Sequence, residues 1–299
     1  MDIKERIKEA AYASGMDMCG VSGIDRFKEA LPGKHPCDIL PGCKSVIVIG
    51  IGLLDGALQS NFRAFEDGRH DLKGIYGTYA YTIFPNFHLA HSCYVVARFI
   101  EKELKSIATP CSTGPLTNGM QISIKHAAVA AGLAEFGWSG IVLSPEFGPR
   151  NRFGVILTTA ELEPDPIYNG KRLCNPEKCG ICTKVCPSQA LSLYGGTDEI
   201  SVVNMDGHRY EYRKFDMAKC YSTCVAMRKE YGGADDYLTA ENPTMDDFWE
   251  AAGRMPFDDG LQNHATWHCG KCQAYCPAGN WAEHFKKTGL SRGADMSMG

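Results

Sequence analysis

Two runs of cysteine in the last third of the chain carry the clearest chemistry. They are Cys174, Cys179, Cys182 and Cys186 followed by Pro187, and Cys269, Cys272 and Cys276 followed by Pro277. In each run a tight loop with two intervening residues turns successive thiolates toward one point, as soft metal centres and iron–sulfur cubes require. The proline then ends the loop. Paired Cys-x2-Cys motifs also build zinc sites, but a zinc ribbon has no need of a further cysteine and proline closing both runs. Two [4Fe–4S] clusters are therefore expected. Disulfides are not expected of short, interleaved runs in a chain that opens on a charged amphipathic helix rather than a secretion signal.

Each run resembles half of a bacterial two-cluster ferredoxin, in which three cysteines grip one cube and the cysteine before proline reaches across to the other. The second run has only three thiolates, so eight ligands require one more. Cys220 or Cys224 in the segment AKCYSTC supplies it. The resulting assignment is Cys174, Cys179, Cys182 and Cys276 for one cube, and Cys186, Cys220, Cys269 and Cys272 for the other.

The elements that must position these thiols follow from composition and periodicity. With 299 residues, 44% hydrophobic and 22% charged, the chain can bury one full core and a smaller module. A net charge of −4 gives no electrostatic reason to expect a nucleic-acid backbone as partner. No apolar run approaches a membrane span, so a cytoplasmic protein with no membrane partner is expected. Fourteen cysteines imply a reducing compartment and an anaerobic or low-oxygen setting.

Ile3, Ile7, Ala10 and Ala11 recur at helical spacing before a short strand, MCGVSGI. The continuous apolar run in LPGCKSVIVIGIGLL predicts a central strand buried on both faces. Residues 61–81, polar and aromatic with several glycines, read as a loop over a pocket. A long helix is predicted over 86–107, with Leu89, Cys93, Val96, Ile100 and Leu104 on its buried side. An alanine-rich helix follows over 121–134, whose small side chains suit either close helix packing or a flat ligand. Two strands, GIVLS and RFGVILTTAEL, flank the turn PEFGP. The fold class expected is α/β, a three-layer mixed sheet over residues 1–166, with a two-cluster ferredoxin-like domain over 167–299. The boundary lies in ELEPDPIYNG.

The stretches LPGCKSVIVIG and KHAAVAAGLAEFGWSGIVLSPEFGPRNRFGVILTTAELEPD, with the cysteine module after them, resemble the core shared by epoxyqueuosine reductases and reductive dehalogenases. The resemblance covers roughly residues 38–280. It implies a nitroreductase-like domain holding a corrinoid (cobalamin) in the base-off form, electrons entering through the cubes, and a small-molecule substrate above the ring. It also implies a low-potential electron donor of ferredoxin or flavodoxin type, and it favours Cys220, which occupies the place of the isolated cysteine in epoxyqueuosine reductases. The chain reads as a compact relative, without the twin-arginine leader and length of the dehalogenases or the further helical segment of the queuosine enzymes. An ungapped count places Asn118 where epoxyqueuosine reductases carry a proton-donating aspartate, and asparagine cannot act as that acid. Epoxyqueuosine is accordingly not the expected substrate.

In dehalogenase-like sites a tyrosine delivers the proton, aided by a neighbouring lysine or arginine that favours the phenolate. The resemblance points to Tyr81 as donor and Lys125 as its support. Tyr76, Tyr79, Ala127, Ala128, Ala131, Arg150 and Arg152 are expected to line the corrinoid. His88, His91 and His126 read as ordinary helix histidines, and Cys19, Cys37, Cys43, Cys93 and Cys111 as buried free thiols. Two other readings stand beside the corrinoid reductase: an electron-transfer protein with clusters alone, and a flavin-dependent reductase. No G-x-G-x-x-G fingerprint opens a helix after a strand.

Overall fold

The computed structural model describes residues 2–66, 68–111, 121–196, 199–256 and 268–279. Helix α1 (Ile3–Ala13) leads into strand β1 (Met18–Gly23), followed by the one-turn helix α2 (Pro36–Ile39) and strand β2 (Ser45–Gly52). Helices α3 (Asp55–Arg63) and α4 (Leu72–Ile75) run into a π-helical turn, Tyr76–Tyr81, and then α5 (Phe84–Leu104). Strand β3 (Ala108–Pro110), helix α6 (Ile124–Ala130), the two-residue strands β4 (Glu135–Phe136) and β5 (Val142–Leu143), and β6 (Asn151–Thr158) complete this part.

The main sheet has the order β1-β2-β6-β3. A mixed sheet is the expectation from sequence, yet every described pairing in it is antiparallel. The connection from β1 to β2 holds only one-turn helices, so the chain reverses direction instead of crossing over as a parallel pair requires. Strand β2 is buried on both faces, as its unbroken apolar run predicts. Val46 and Val48 point into a core shared with Ala127, Val129, Val155 and Leu157. Ile47 and Ile49 point the other way, against Ile7 of α1 and Leu89, Cys93, Val96 and Ile100 of α5. Helices thus cover both faces of the sheet.

Helix α5 matches its predicted buried stripe and stops at Lys105, which takes a left-handed conformation with φ 57°. The alanine-rich helix is shorter than predicted because Gly132, at φ +75°, turns the chain where any Cβ would meet Pro166 O at 2.1 Å. The segment 61–81 is the largest departure. In place of a loop it is mostly helical, because Leu58, Tyr76 and Ala80 pack together with Phe62 and Tyr81 in a small core of their own. Asp165 ties the end of the sheet region to the start of the chain, accepting from Lys4 Nζ at 3.0 Å, Lys8 Nζ at 3.1 Å and Val21 N at 2.9 Å.

Beyond the sheet come α7 (Ile181–Lys184), the hairpin β7 (Ile200–Met205) and β8 (His208–Arg213), α8 (Met217–Cys224) and α9 (Met245–Arg254). A last helical turn is described at Lys271–Ala274. Val203 and Met205 of the hairpin belong to the same buried cluster as Val46. The cysteine-bearing part is therefore packed onto the sheet by apolar contact, not merely tethered to it.

Candidate functional site

Local structure brings the cysteine runs together. Cys182 lies on α7, and Cys272 on the turn Lys271–Ala274, which is entered through Gly270 at φ 60°. Asp216 caps α8 by accepting from Lys219 N at 3.0 Å, and the helix then carries Cys220 and Cys224 one turn apart on a shared face. Burial pushes the Cys276 thiol up to about 11, and Cys174 and Cys182 add to the rise while Arg150 opposes it. Burial likewise raises Cys182 to about 11, with Cys174 and Cys179 contributing. These four thiols share one electrostatic neighbourhood.

A second neighbourhood lies beside it. Burial raises Cys269 to about 12, with Cys224 and Cys186 adding to the effect. Cys272, driven up by burial, feels Cys269, Cys182, Cys186 and Cys224. The hydrogen bond between Cys220 and Cys224 raises the first and lowers the second, so the two thiols act as a pair. Buried thiols crowded in this way resist ionisation on their own but lose their protons outright to a coordinated metal. The donor sets, four soft sulfurs in one group and five in the other, are of the chemical kind that iron–sulfur cubes take, and Cys182 of the first group also acts on Cys272 of the second. Among the described residues no three Cys, His, Asp or Glu side chains are arranged as ligands of a single metal ion.

The sheet domain grips this region through polar contacts. Glu135 accepts from Leu173 N at 2.5 Å and Cys174 N at 2.9 Å, and Trp138 N donates to Cys174 Sγ at 3.3 Å. Arg150, buried at the start of β6, donates to Gln273 O at 3.3 Å, to Cys276 O at 2.6 Å and to Ala278 O. Tyr76 Oη donates to Gln273 Oε1 at 2.5 Å, and Gln273 Nε2 donates to Pro149 O at 2.5 Å. Asn61 Nδ2 reaches Cys269 O at 2.6 Å.

Tyr81 stands where the second thiol group meets α5. Its ring lies 5.6 Å from that of Tyr76 and 4.7 Å from that of His268. The Arg152 guanidinium sits over its face at 4.7 Å and is itself held by Asn86 Oδ1 at 2.7 Å. Burial raises the phenol pKa, Arg152 pulls it down, and Cys224, Cys220 and Cys272 push it up again. A cation against the ring favours the phenolate that proton transfer would leave behind. Thr82 Oγ1, on the next residue, and His268 Nε2, on the ring 4.7 Å away, are buried with no hydrogen-bond partner among the described residues. Orphaned polar atoms of this kind are what a bound polar group or water would satisfy.

The other expected residues are placed as follows. Lys125 Nζ donates to Gly140 O at 2.6 Å; desolvation at its ammonium end lowers its pKa, and Cys272 and Cys220 oppose that. Tyr79 is exposed and stacked on Phe84 at 5.2 Å. Ala127, Ala128 and Ala131 are buried in the core against the sheet, the packing alternative that small side chains also serve. Asn118 lies outside the described residues. The polar cavities of about 180 and 230 Å³ beside Lys219 and Arg26 are lined by neither Tyr81 nor Arg152. His268, Gln273 and Lys73 also lie in this region, and none belongs to a sequence motif. Lys73 is fully buried, and burial lowers its pKa to about 8 while Cys269 and Cys224 oppose the drop. The one signal for His268 was its place directly before Cys269.

No family model matches the chain. A tetrachloroethene reductive dehalogenase of Desulfitobacterium hafniense is 38% identical over 109 residues, which is 35% of this chain and 18% of that protein. An epoxyqueuosine reductase of Bacillus subtilis aligns over 99% of this chain and 67% of its own, with a TM-score of 0.55 and 16% identity. An epoxyqueuosine reductase solved with a modified tRNA stem loop aligns with a TM-score of 0.53, at 15% identity, over 92% of this chain and 64% of its own. A reductive dehalogenase whose structure suggests a mechanism for B12-dependent dehalogenation gives a TM-score of 0.52 at 19% identity, over 88% of this chain and 35% of its own. The chain thus spans under a fifth of the curated relative's length. Over 109 residues the sequence is similar to that of a reductive dehalogenase, and the architecture is shared with epoxyqueuosine reductases and reductive dehalogenases.

Proposed function

We propose that the chain is an iron–sulfur and corrinoid-dependent reductase of a small organic substrate. In this reading a three-layer α/β domain, residues 1–166, holds the reacting centre, and a two-cluster module, residues 167–299, feeds it. The observation that carries the reading is the contact between the two halves: the second thiol group shares its electrostatic field with Tyr81, whose ring also carries Arg152. An electron store and a proton donor side by side are what a reductive step needs. A corrinoid, when bound, would supply a low-valent cobalt as the electron donor to substrate. Tyr81 would hold the proton at its phenolic oxygen, and Arg152 would stabilise the phenolate. Thr82 Oγ1 and His268 Nε2 offer unfilled polar contacts in the same place.

Among the described residues no helix is long and apolar enough to cross a membrane, and a cytoplasmic setting with a ferredoxin- or flavodoxin-type donor belongs to the proposal. The substrate is small in this reading, without a nucleic-acid backbone; the tRNA stem loop bound by one structural neighbour makes a modified nucleoside the alternative to include in a substrate screen. The test is anoxic reconstitution with iron, sulfide and cobalamin. About eight iron and eight sulfide per chain are expected from two cubes, together with one corrinoid showing a base-off spectrum. Clusters without corrinoid would leave an electron carrier, bound flavin would replace the corrinoid, and zinc alone would overturn the reading.

A further inference from the structure

Two lysines close on the second thiol group from one side. Lys73 of α4 is fully buried, donates to Tyr231 O, and lies with its ammonium 4.4 Å from the Phe65 ring centroid. Lys271, between Cys269 and Cys272, lies 4.1 Å from the same centroid. Both ammonium groups thus lie within cation–π range of one ring. Cys269 and Cys224 act on Lys73, and Cys269 and Cys186 act on Lys271. The first thiol group is differently surrounded: Arg150 acts on Cys276 and Arg172 on Cys174, but the Glu135 carboxylate also stands at Cys174 and offsets them.

A buried lysine is costly unless something negative nearby repays it. Four thiolates around an iron–sulfur cube carry such a charge, and it grows by one unit on reduction. Cations in a low-dielectric surround favour the added electron, one of the means by which a protein sets cluster potential.

Resting on the two-cluster reading above, we propose that Lys73 and Lys271 form a cationic pair that raises the reduction potential of the cluster at Cys186, Cys269, Cys272 and the α8 cysteine above that of its neighbour. In the step this implies, a low-potential one-electron donor of ferredoxin or flavodoxin type reduces the first cube from 2+ to 1+. That electron passes to the second cube, which goes from 2+ to 1+ while the first returns to 2+. The pair makes the transfer downhill and holds the electron beside Tyr81.

The test is an EPR-monitored redox titration of the full chain, anoxically reconstituted and first assayed for iron and sulfide. Fewer than two cubes in the unaltered protein would sink the two-cluster reading itself, separately from the pair. With both cubes present, Lys271→Met, at a partly exposed site, is expected to lower the midpoint of one cluster only, and Lys73→Met to lower the same one further. Lys73→Arg is expected to restore it. Unchanged midpoints in Lys271→Met, or an equal shift of both clusters, would overturn the proposal even if Lys73→Met does not fold.

Discussion

At the residue scale the proposed function rests on three side chains: Tyr81, Cys220 and Cys224. Replacing Tyr81 by Phe removes one hydroxyl and leaves the ring that stacks on Tyr76 and lies under Arg152. Tyr81→Phe is expected to keep full iron and corrinoid content while turnover drops by about 10²–10⁴, the range typical of a lost general acid. Normal turnover would remove Tyr81 from the mechanism. The two α8 cysteines are harder to separate, since they share a hydrogen bond and both interact with Cys269 and Cys272. The position of the isolated cysteine in the resembling family favours Cys220, so Cys220→Ala should halve the iron content and Cys224→Ala preserve it. The opposite result in an iron assay would move the ligand one helical turn, to Cys224.

Among the elements, the loop Cys269–Cys272 depends on the π-helical turn it touches. A Cβ on Gly270 would lie 2.3 Å from Tyr76 Cζ, and the residue is at φ +60°. Gly270→Ala is therefore expected to displace the loop and lower iron content by about half, while the sheet domain keeps its far-UV dichroism; an unchanged iron assay would show that the loop tolerates a shift. The same contact explains what could be read from the sequence. The cysteine spacing, the two-faced strand at Val46–Ile49 and the stripe Leu89, Cys93, Val96, Ile100 depend on neighbours a few residues away, and local periodicity encodes those. The helical character of 61–81 does not. Tyr76 is fixed by Gln273, 197 residues on, and Asn61 by the Cys269 carbonyl, 208 residues on. Such long-range partners leave no periodic trace, and the same holds for buried Lys73 and for the pairing of Arg152 with Tyr81.

At the scale of the whole molecule, two polar anchors at opposite ends of the sheet domain separate folding from cofactor retention. Arg150 joins the start of β6 to three carbonyls of the second cysteine run, so Arg150→Met leaves buried acceptors unsatisfied and loosens Cys276. Loss of the cluster that uses Cys276 is the expected outcome, measured as iron per chain. Asp165 lies far from that run in the bonding network and acts on stability alone. Burial by itself would raise its carboxyl pKa, but bonds from Lys4, Val21 N and Lys8 outweigh that and hold it below the usual value. A depressed folded pKa means that the stabilisation is complete above the unfolded value, near about 3.9, and is lost as pH falls through the folded one. Asp165→Asn is expected to cost about 1–3 kcal/mol at neutral pH and to retain both clusters. Because the variant has no carboxylate to protonate, denaturant midpoints of variant and parent should converge as pH is lowered below 4. A constant gap across that range would mean that the amide disrupts packing at α1 and β1 and that the charge of Asp165 is not what anchors the N-terminal helix.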